Sequence, residues 1–408
     1  MVRPTLQIRE YQTTTWTLTH DQAHDLTTIP AYVDVRLRPD ERYDVHAKAN
    51  VGTVVLPSLD LLLQPKIDMP DLFFILSYAR NVRWSPERFA YAPTQDLFAS
   101  LIWFFDSEME RARVSGLARD YVEVQDTLAT IRGRIDLAEQ LRRRQLRPFP
   151  LECRFQEYSE DIPLNRVLKE AHAVALMVPH VDAGVATRVG HRYRRFFGQV
   201  QSEPFLGLDL PAITFNRMTA HWQPAYWLAE LVLSSRSLRD AAGAVLGQAF
   251  TVRMDRVFER FIENVVREEL AQAGLVLETQ VPTALTTGAH VVADNSPLTG
   301  VGMRPDLVVT QNGQAIAVAD IKYKRTEDLG DFQQPDVYQL FAYCSALALR
   351  RGLLIYADGQ PHTRQRVALP AYADHIEIDM IGVDLSRPWR TVLQQARDAA
   401  HVLQRLAK

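Results

Sequence analysis

The sequence predicts an α/β protein, α+β overall, with a β-rich N-terminal region, a largely helical middle region and a C-terminal mixed sheet flanked by helices. Short runs rich in β-branched and aromatic residues, separated by Pro, Asp and Asn, occupy the first sixty residues. Long segments with helical apolar periodicity dominate the middle of the chain. Strand-like and helix-like segments then alternate. These patterns predict domain boundaries of 1–92, 93–248 and 249–408.

The composition is that of a globular protein with two or three domains, since the chain has 408 residues, 47% of them hydrophobic and 23% charged. No apolar run approaches the length needed to span a bilayer, and the opening MVRPTLQIRE lacks the apolar core of a signal peptide. We therefore expect a cytoplasmic protein with no membrane partner.

Cysteine and histidine usage excludes two kinds of metal site. Cys153 and Cys344 are the two cysteines and lie far apart, which excludes a multi-cysteine zinc site and predicts no structural disulfide. The eleven histidines form no HExxH pair.

The charge balance bears on how the chain meets nucleic acid. A formal net charge of −3 is low for a protein that binds DNA tightly by itself. The basic residues are concentrated in two clusters, each of which is either a phosphate-contacting face or, as we favour slightly, a solvated helix face. The clusters are Arg132, Arg134, Arg142, Arg143, Arg144 and Arg147, and Arg188, Arg192, Arg194 and Arg195.

The stretch at residues 304–325, RPDLVVTQNGQAIAVADIKYKR, carries the most informative pattern. Asn312-Gly313 between two β-type runs predicts a hairpin. Asp320 and Lys322 are two apart on the second strand, so their side chains project from one face. A carboxylate and an ammonium beside apolar neighbours require partners or a metal ion.

The pairing register decides whether Asp306 joins them. A two-residue loop would place Asp306 opposite Ala319, whereas a three-residue loop, Asn312 to Gln314, would place it opposite Asp320. We predict the odd-length loop or an equivalent bulge.

Two neighbouring carboxylates backed by a lysine suit Mg²⁺ or Mn²⁺, with water and phosphate oxygens as the other ligands. The metal acidifies a water, and the lysine orients that water or neutralises developing charge. The alternative interpretation is a surface hairpin with ordinary charges.

Two flanking segments support the metal-site interpretation. Residues 253–274 predict an amphipathic helix closed by Gly274, with Glu259 at the edge of its apolar stripe. Downstream, Pro335 opens a helix on which Gln339 and Tyr343 share a face. The alternatives are a solvated glutamate and polar residues of a packed helix.

The P-D…(D/E)-x-K pattern resembles the restriction-endonuclease-like nuclease superfamily, and the Gln-x-x-x-Tyr helix resembles its RecB-like branch. The resemblance implies that Asp306, Asp320 and Lys322 form the catalytic set with Glu259 and Gln339. It also implies that Asp306, Asp320 and Glu259 bind the metal, while Tyr343 and Lys324 contact nucleic acid.

The order of motifs across most of the chain resembles the McrC family, the nuclease subunit of McrBC restriction systems. The motifs are QPKI, SYAR, RGRI, PFPLECRF, VFERF, RPDLVV, ADIKYKR and VYQLFAY. The resemblance implies an endonuclease domain at the C-terminus and an N-terminal region that binds an McrB-like AAA+ GTPase. It further implies a double-stranded DNA substrate containing modified cytosine, which the partner recognises.

The chain contains no GxxxxGK[ST] loop, so any dependence on GTP is expected to enter through the partner. Two other functions stay open at this point. One is a regulatory subunit that activates a partner NTPase without cleaving DNA, and the other is a RecB-like repair exonuclease.

Overall fold

The computed structural model describes residues 3–80, 96–144, 149–203, 205, 210–234, 236–237, 248–284, 289–290, 297–298, 302–324, 334–359, 362–369 and 374–407. No helix within these ranges is both long enough and apolar enough to cross a lipid bilayer.

The helices within the described ranges are numbered in chain order. They are α1 (His20–Thr27), α2 (Met69–Ala79), α3 (Leu97–Ala112), α4 (Leu137–Arg144), α5 (Pro163–Ala175), α6 (Ala183–Arg195), α7 (Gln223–Ser234), α8 (Met254–Gln272), α9 (Gln334–Ala346) and α10 (Trp389–Leu406). Short 3₁₀ turns cover Arg113–Ser115 and Ala220–Trp222.

The strands are numbered in the same way. They are β1 (Thr5–Arg9), β2 (Thr13–Trp16), β3 (Val33–Leu37), β4 (Tyr43–Ala47), β5 (Asn50–Val55), β6 (Asp60–Gln64), β7 (Asp120–Leu128), β8 (Arg134–Ile135), β9 (Leu151–Ser159), β10 (Arg236–Ser237), β11 (Gln248–Arg253), β12 (Val276–Thr279), β13 (Thr283–Ala284), β14 (Ala289–His290), β15 (Pro297–Leu298), β16 (Gly302–Met303), β17 (Leu307–Gln311), β18 (Gln314–Lys322), β19 (Arg351–Tyr356), β20 (Thr363–Leu369) and β21 (Asp374–Gly382).

The chain forms two compact units that interleave along the sequence. One comprises Met1–Thr5, Gly52–Leu61 and Pro93–Thr251, and the other comprises Leu6–Val51, Leu62–Ala92 and Val252–Lys408. The expected N-terminal domain at 1–92 is therefore not one compact unit, because most of it belongs with the C-terminal part of the chain. Local sequence patterns do not report which distant segments pack together.

The C-terminal sheet has the strand order β12-β17-β18-β19-β21-β20 among the described residues. Strands β18, β19 and β21 are parallel, and the outer pairs are antiparallel. The expected mixed sheet, and with it the α/β class, is confirmed. The sequence analysis missed strand β20, TRQRVAL, because an edge strand carries polar residues and lacks the apolar run of its neighbours.

Helices cover both faces of this sheet. α9 packs on a core of alternate strand residues, whereas α8 and α10 pack against each other and against β18. The first core consists of Val308, Val318, Val337, Leu340, Tyr343, Cys344, Leu354, Tyr356, Ile376 and Ile378. Successive residues of a strand point to opposite faces, so the sheet carries two apolar layers.

The segment that follows QPKI forms α2, which belongs to the same unit as the mixed sheet. Its C-terminal carbonyl groups, those of Tyr78 and Ala79, accept hydrogen bonds from Asn264 Nδ2 at 2.9 and 3.1 Å. The Tyr78 hydroxyl also donates to Glu268. Since helix ends leave carbonyl groups without intrahelical partners, α8 completes the end of α2.

The other unit is only partly the helical region that the sequence predicts. Helices α3, α5, α6 and α7 pack together, and Arg192 is buried against Asp106 and Glu110. Beside them, β7, β9 and β8 form an antiparallel sheet in which the nine residues of β7 pair with β9. The middle region therefore contains a full strand as well as helices.

We predict that Gly133→Ala destabilises the chain more than Gly274→Ala. Both glycines have a positive φ, 68° and 72°, so both substitutions carry about 1 kcal/mol of backbone strain. A Cβ at Gly133 would also lie 2.5 Å from the Arg154 carbonyl oxygen, whereas a Cβ at Gly274 meets nothing within 4 Å. The expected additional loss is about 1–3 kcal/mol, measured by denaturant unfolding. Equal losses would show that the contact at Gly133 relaxes freely.

Candidate active site

The hairpin between β17 and β18 turns at Asn312-Gly313, as predicted. Both residues have positive φ, 51° and 77°, which is the backbone of the tight two-residue turn that Asn-Gly favours. Gln311 and Gln314 are paired directly across it.

A bulge then corrects the register. Thr310 pairs with Ala315 but Val309 pairs with Ala317, so Ile316 is an extra residue in β18. Beyond the bulge Leu307 faces Ala319, and the next position places Asp306 opposite Asp320. The three-residue loop is wrong, but the equivalent bulge is confirmed, and both aspartates face the same side.

Asp320 and Lys322 form a buried ion pair at the end of β18. Asp320 is 1% exposed, and its Oδ2 lies 2.7 Å from Lys322 Nζ. That oxygen makes no hydrogen bond of good geometry, so it keeps acceptor capacity. A buried carboxylate in this state is costly unless a cation supplements the lysine.

Helix α9 positions the lysine through a chain of hydrogen bonds. Lys322 Nζ donates to Gln339 Oε1 at 2.8 Å, and Gln339 Nε2 donates to the Tyr343 hydroxyl at 2.6 Å. The hydroxyl in turn donates to the Arg304 carbonyl oxygen at 3.3 Å. Tyr343 is 4% exposed and its hydroxyl is used inside the protein, and its predicted contact with nucleic acid stays a prediction.

Glu259 joins the site through a residue that the sequence analysis missed. Gln280 Nε2 donates to Glu259 Oε1 at 2.8 Å and to Asp306 Oδ1 at 2.7 Å. The other carboxylate oxygen of Asp306 accepts the backbone N–H of Ile321 at 2.8 Å. A glutamine directly after strand β12 carries no sequence signal of such a role, since only the pairing of β12 with β17 brings it here.

Lys324 has a carboxylate partner at the rim. Its Nζ lies 3.0 Å from Asp336 Oδ1, and Asp336 also accepts a hydrogen bond from the Tyr356 hydroxyl at 3.0 Å. The Lys324 side chain is 45% exposed, so its predicted contact with nucleic acid stays a prediction.

The residue after Lys322 is anchored to the N-terminal part of the same unit. The Tyr323 hydroxyl donates to Glu10, with both carboxylate oxygens at 2.9 Å, and the Tyr323 carbonyl accepts the Tyr11 hydroxyl at 2.9 Å. Lys66 of the QPKI motif lies 4.0 Å from the centroid of the Tyr323 ring. These contacts link the turn after β1 and the QPKI motif to the strand that carries Asp320 and Lys322.

The residues fit a metal ion held by few protein ligands. Within the described ranges, no three His, Cys, Asp or Glu side chains are grouped closely enough to hold a cation by themselves. Asp306 and Asp320 are nevertheless cross-strand neighbours, and Mg²⁺ typically takes one or two carboxylates, with water and phosphate completing its shell. Glu259 lies beyond the Gln280 amide, which suits its predicted place at the metal or its water shell.

The carboxylates here are difficult to ionise together without a cation. Burial raises the pKa of Asp320 to about 7, and the charge of Asp306 adds to this while Lys322 opposes it. Burial and the charge of Asp306 also raise the pKa of Glu259. For Lys322, burial is the largest effect and lowers the pKa, but the charge and hydrogen bond of Asp320 and the charges of Asp336 and Asp306 together outweigh it. The net pKa is raised, so the amine stays protonated.

We predict that the metal-free protein loses stability as the pH rises through the titration of Asp320. Its pKa moves from 3.8 to about 7 on folding, so the folded chain binds more protons between these values. The free energy of unfolding therefore falls as the pH rises through that window. Thermal unfolding in EDTA, from about pH 5 to about pH 8, should show a smaller decline for Asp320→Asn than for the wild type. Parallel curves would contradict the prediction.

Comparison with known proteins identifies relatives that span most of the chain. A type IV methyl-directed restriction enzyme of Escherichia coli K12, EcoKMcrBC, is 20% identical over 350 residues, which cover 82% of this chain and 97% of the relative. The structure resembles a chain from the refined half-complex of a tetradecameric Thermococcus gammatolerans assembly of McrB AAA+ hexamers with bound McrC. That match has a TM-score of 0.60 and 16% identity, and it covers 98% of this chain and 99% of the other.

A family model provides the assignment. The model of the McrBC 5-methylcytosine restriction system component matches residues 45–357, which is more than half of the chain and includes the hairpin, α8 and α9. The chain therefore belongs to the family of McrBC 5-methylcytosine restriction system components.

Proposed function

We propose that this chain is the DNA endonuclease subunit of a modification-dependent restriction complex. The observation that carries the proposal is the position of Asp306, directly before β17, beside Asp320 and Lys322 at the end of β18. Two carboxylates and an amine on adjacent strands are the groups that metal-assisted phosphodiester hydrolysis requires.

Each residue has a defined part in this proposal. Asp306 and Asp320 hold the metal ion, Mg²⁺ or Mn²⁺, which when bound acidifies a water and neutralises charge on the phosphodiester. Lys322 stays protonated and is aimed by Gln339, so it orients the attacking water or stabilises the developing charge. Glu259 accepts a proton or a hydrogen bond from the water shell.

The environment of Lys322 supports this assignment over that of a structural ion pair. Its side chain is 16% exposed, so it is desolvated yet open on one side. Gln339 uses its oxygen on Lys322 and its nitrogen on Tyr343, which fixes the amide in one orientation. A purely structural pair would not need this further layer of positioning.

We also propose that the chain works with an AAA+ GTPase partner and raises its GTP hydrolysis. The Thermococcus gammatolerans relative is described in complex with McrB AAA+ hexamers, and the Escherichia coli relative is methyl-directed. Net charge −3 suits a subunit whose partner captures the DNA. In this proposal the partner reads the modified cytosine, and the complex carries the substrate to Asp306 and Asp320.

We predict that Asp306→Asn and Lys322→Ala each lower cleavage of methylated plasmid by about 100-fold or more, because the first removes a negative charge that holds the metal ion and the second removes the ammonium group beside the attacking water. Plasmid linearisation is measured with the purified partner, GTP and Mg²⁺. Glu263→Gln is the matched control, since Glu263 lies one turn after Glu259 on α8 and pairs with Arg267 at 2.6 Å.

Normal cleavage by Asp306→Asn would refute the assignment of the site. A wild-type chain that never cuts, but raises the GTPase rate of the partner, would instead identify a regulatory subunit. Degradation of linear DNA without any partner, with circular plasmid left intact, would favour the repair exonuclease.

We predict that Asp306→Asn stimulates the GTP hydrolysis of the partner as well as the wild type does. The aspartate acts on DNA, and an isosteric amide keeps its shape and leaves the rest of the surface unchanged. Phosphate release by the partner, with wild-type or variant chain added, measures the effect. A parallel loss of both activities would show that the metal site and the GTPase contact are one surface.

A further inference from the structure

Gln280 bridges two carboxylates of the candidate metal site with one atom. Its Nε2 lies 2.8 Å from Glu259 Oε1 and 2.7 Å from Asp306 Oδ1, so these two oxygens are at most about 5.5 Å apart. A primary amide has two N–H groups, and here each carboxylate accepts one of them. The nitrogen therefore occupies the space between two anionic oxygens where a cation would be most stabilised.

The backbone holds this amide in place. Gln280 has φ 52°, in the left-handed region that a residue with a Cβ seldom adopts. Its N–H donates to the Asp306 carbonyl oxygen at 3.2 Å, so the strand that carries Asp306 also holds Gln280. Non-glycine residues in this region are concentrated at functional sites, where the surrounding structure maintains them.

The side chain can nevertheless leave. Gln280 is exposed, whereas Asp320 is buried and Asp306 is tied to the backbone of Ile321. A cation needs the lone pairs of the carboxylate oxygens and repels the amide N–H groups that point at them. A cation held by both Glu259 Oε1 and Asp306 Oδ1 would take the place of the amide nitrogen, so its binding requires Gln280 to leave that position.

We propose that Gln280 is a metal-competing positioning residue, which holds Glu259 and Asp306 together in the metal-free protein and is displaced when the divalent cation binds. This inference rests on the proposed metal-dependent function and assigns a role to a residue outside the catalytic set. Because the two hydrogen bonds stabilise only the metal-free state, they weaken metal binding. Gln280 thus sets the cation concentration at which the site fills.

The test measures binding of Mn²⁺ to the full-length chain by calorimetry, together with thermal unfolding in EDTA. Gln280→Ala should bind Mn²⁺ about tenfold more tightly, because two charge-assisted hydrogen bonds no longer compete. It should also unfold at a lower temperature without metal. Gln280→Asn keeps a residue that tolerates left-handed backbone but shortens the reach, and it should bind more tightly in the same way.

Gln311→Ala, at the exposed end of β17, is the matched control and should leave binding unchanged. Unchanged or weaker Mn²⁺ binding by both Gln280 variants, with a wild type that binds Mn²⁺ and cleaves DNA, overturns this inference alone. Absence of Mn²⁺ binding and cleavage in the wild type overturns the proposed function and this inference with it.

Discussion

The placement of two like charges on neighbouring strands is the constraint on which the rest of this structure depends. Asp320 is buried at the end of a central strand and faces Asp306 across the ladder. Like charges directly opposite each other destabilise a sheet. The surrounding residues compensate in part, since Lys322 pairs with Asp320 and a backbone N–H binds Asp306.

This arrangement lowers the stability of the folded chain at the site. The raised pKa of Asp320 has the same origin, because burial and the charge of Asp306 disfavour the ionised carboxylate. A strand selected for stability alone would carry an apolar residue at the position of Asp320, like its buried neighbours Val318 and Ala319. We propose that a divalent cation compensates these charges and that Gln280 holds part of the site until the cation binds.

Support for the site comes from parts of the chain that are far away in sequence. Glu10 and Lys66 hold Tyr323, while α2 is completed by Asn264 of α8, the helix that carries Glu259. The QPKI and SYAR motifs, which precede the hairpin by more than 200 residues, thus belong to the framework of the unit that contains the mixed sheet. These motifs therefore have a structural role in the same unit as the candidate site.

The sequence by itself determined the elements whose signals are local. The Asn312-Gly313 turn follows from backbone preferences, α8 and α9 follow from apolar periodicity, and Asp320 and Lys322 share a face because strand residues alternate. Because side chains alternate along a strand, either a loop with an odd number of residues or a bulge was needed to bring Asp306 to that face.

Only the tertiary structure decided the rest, because it depends on contacts between residues far apart in the chain. The bulge at Ile316, the burial of Tyr343 and the membership of residues 6–51 in the C-terminal unit are of this kind. Gln280 is the clearest case, since an exposed glutamine becomes a bridge between two carboxylates only when β12 is paired beside β17 and α8 lies across it. The local sequence does not indicate how distant segments pair and pack, and it is this pairing and packing that makes Gln280 part of the site.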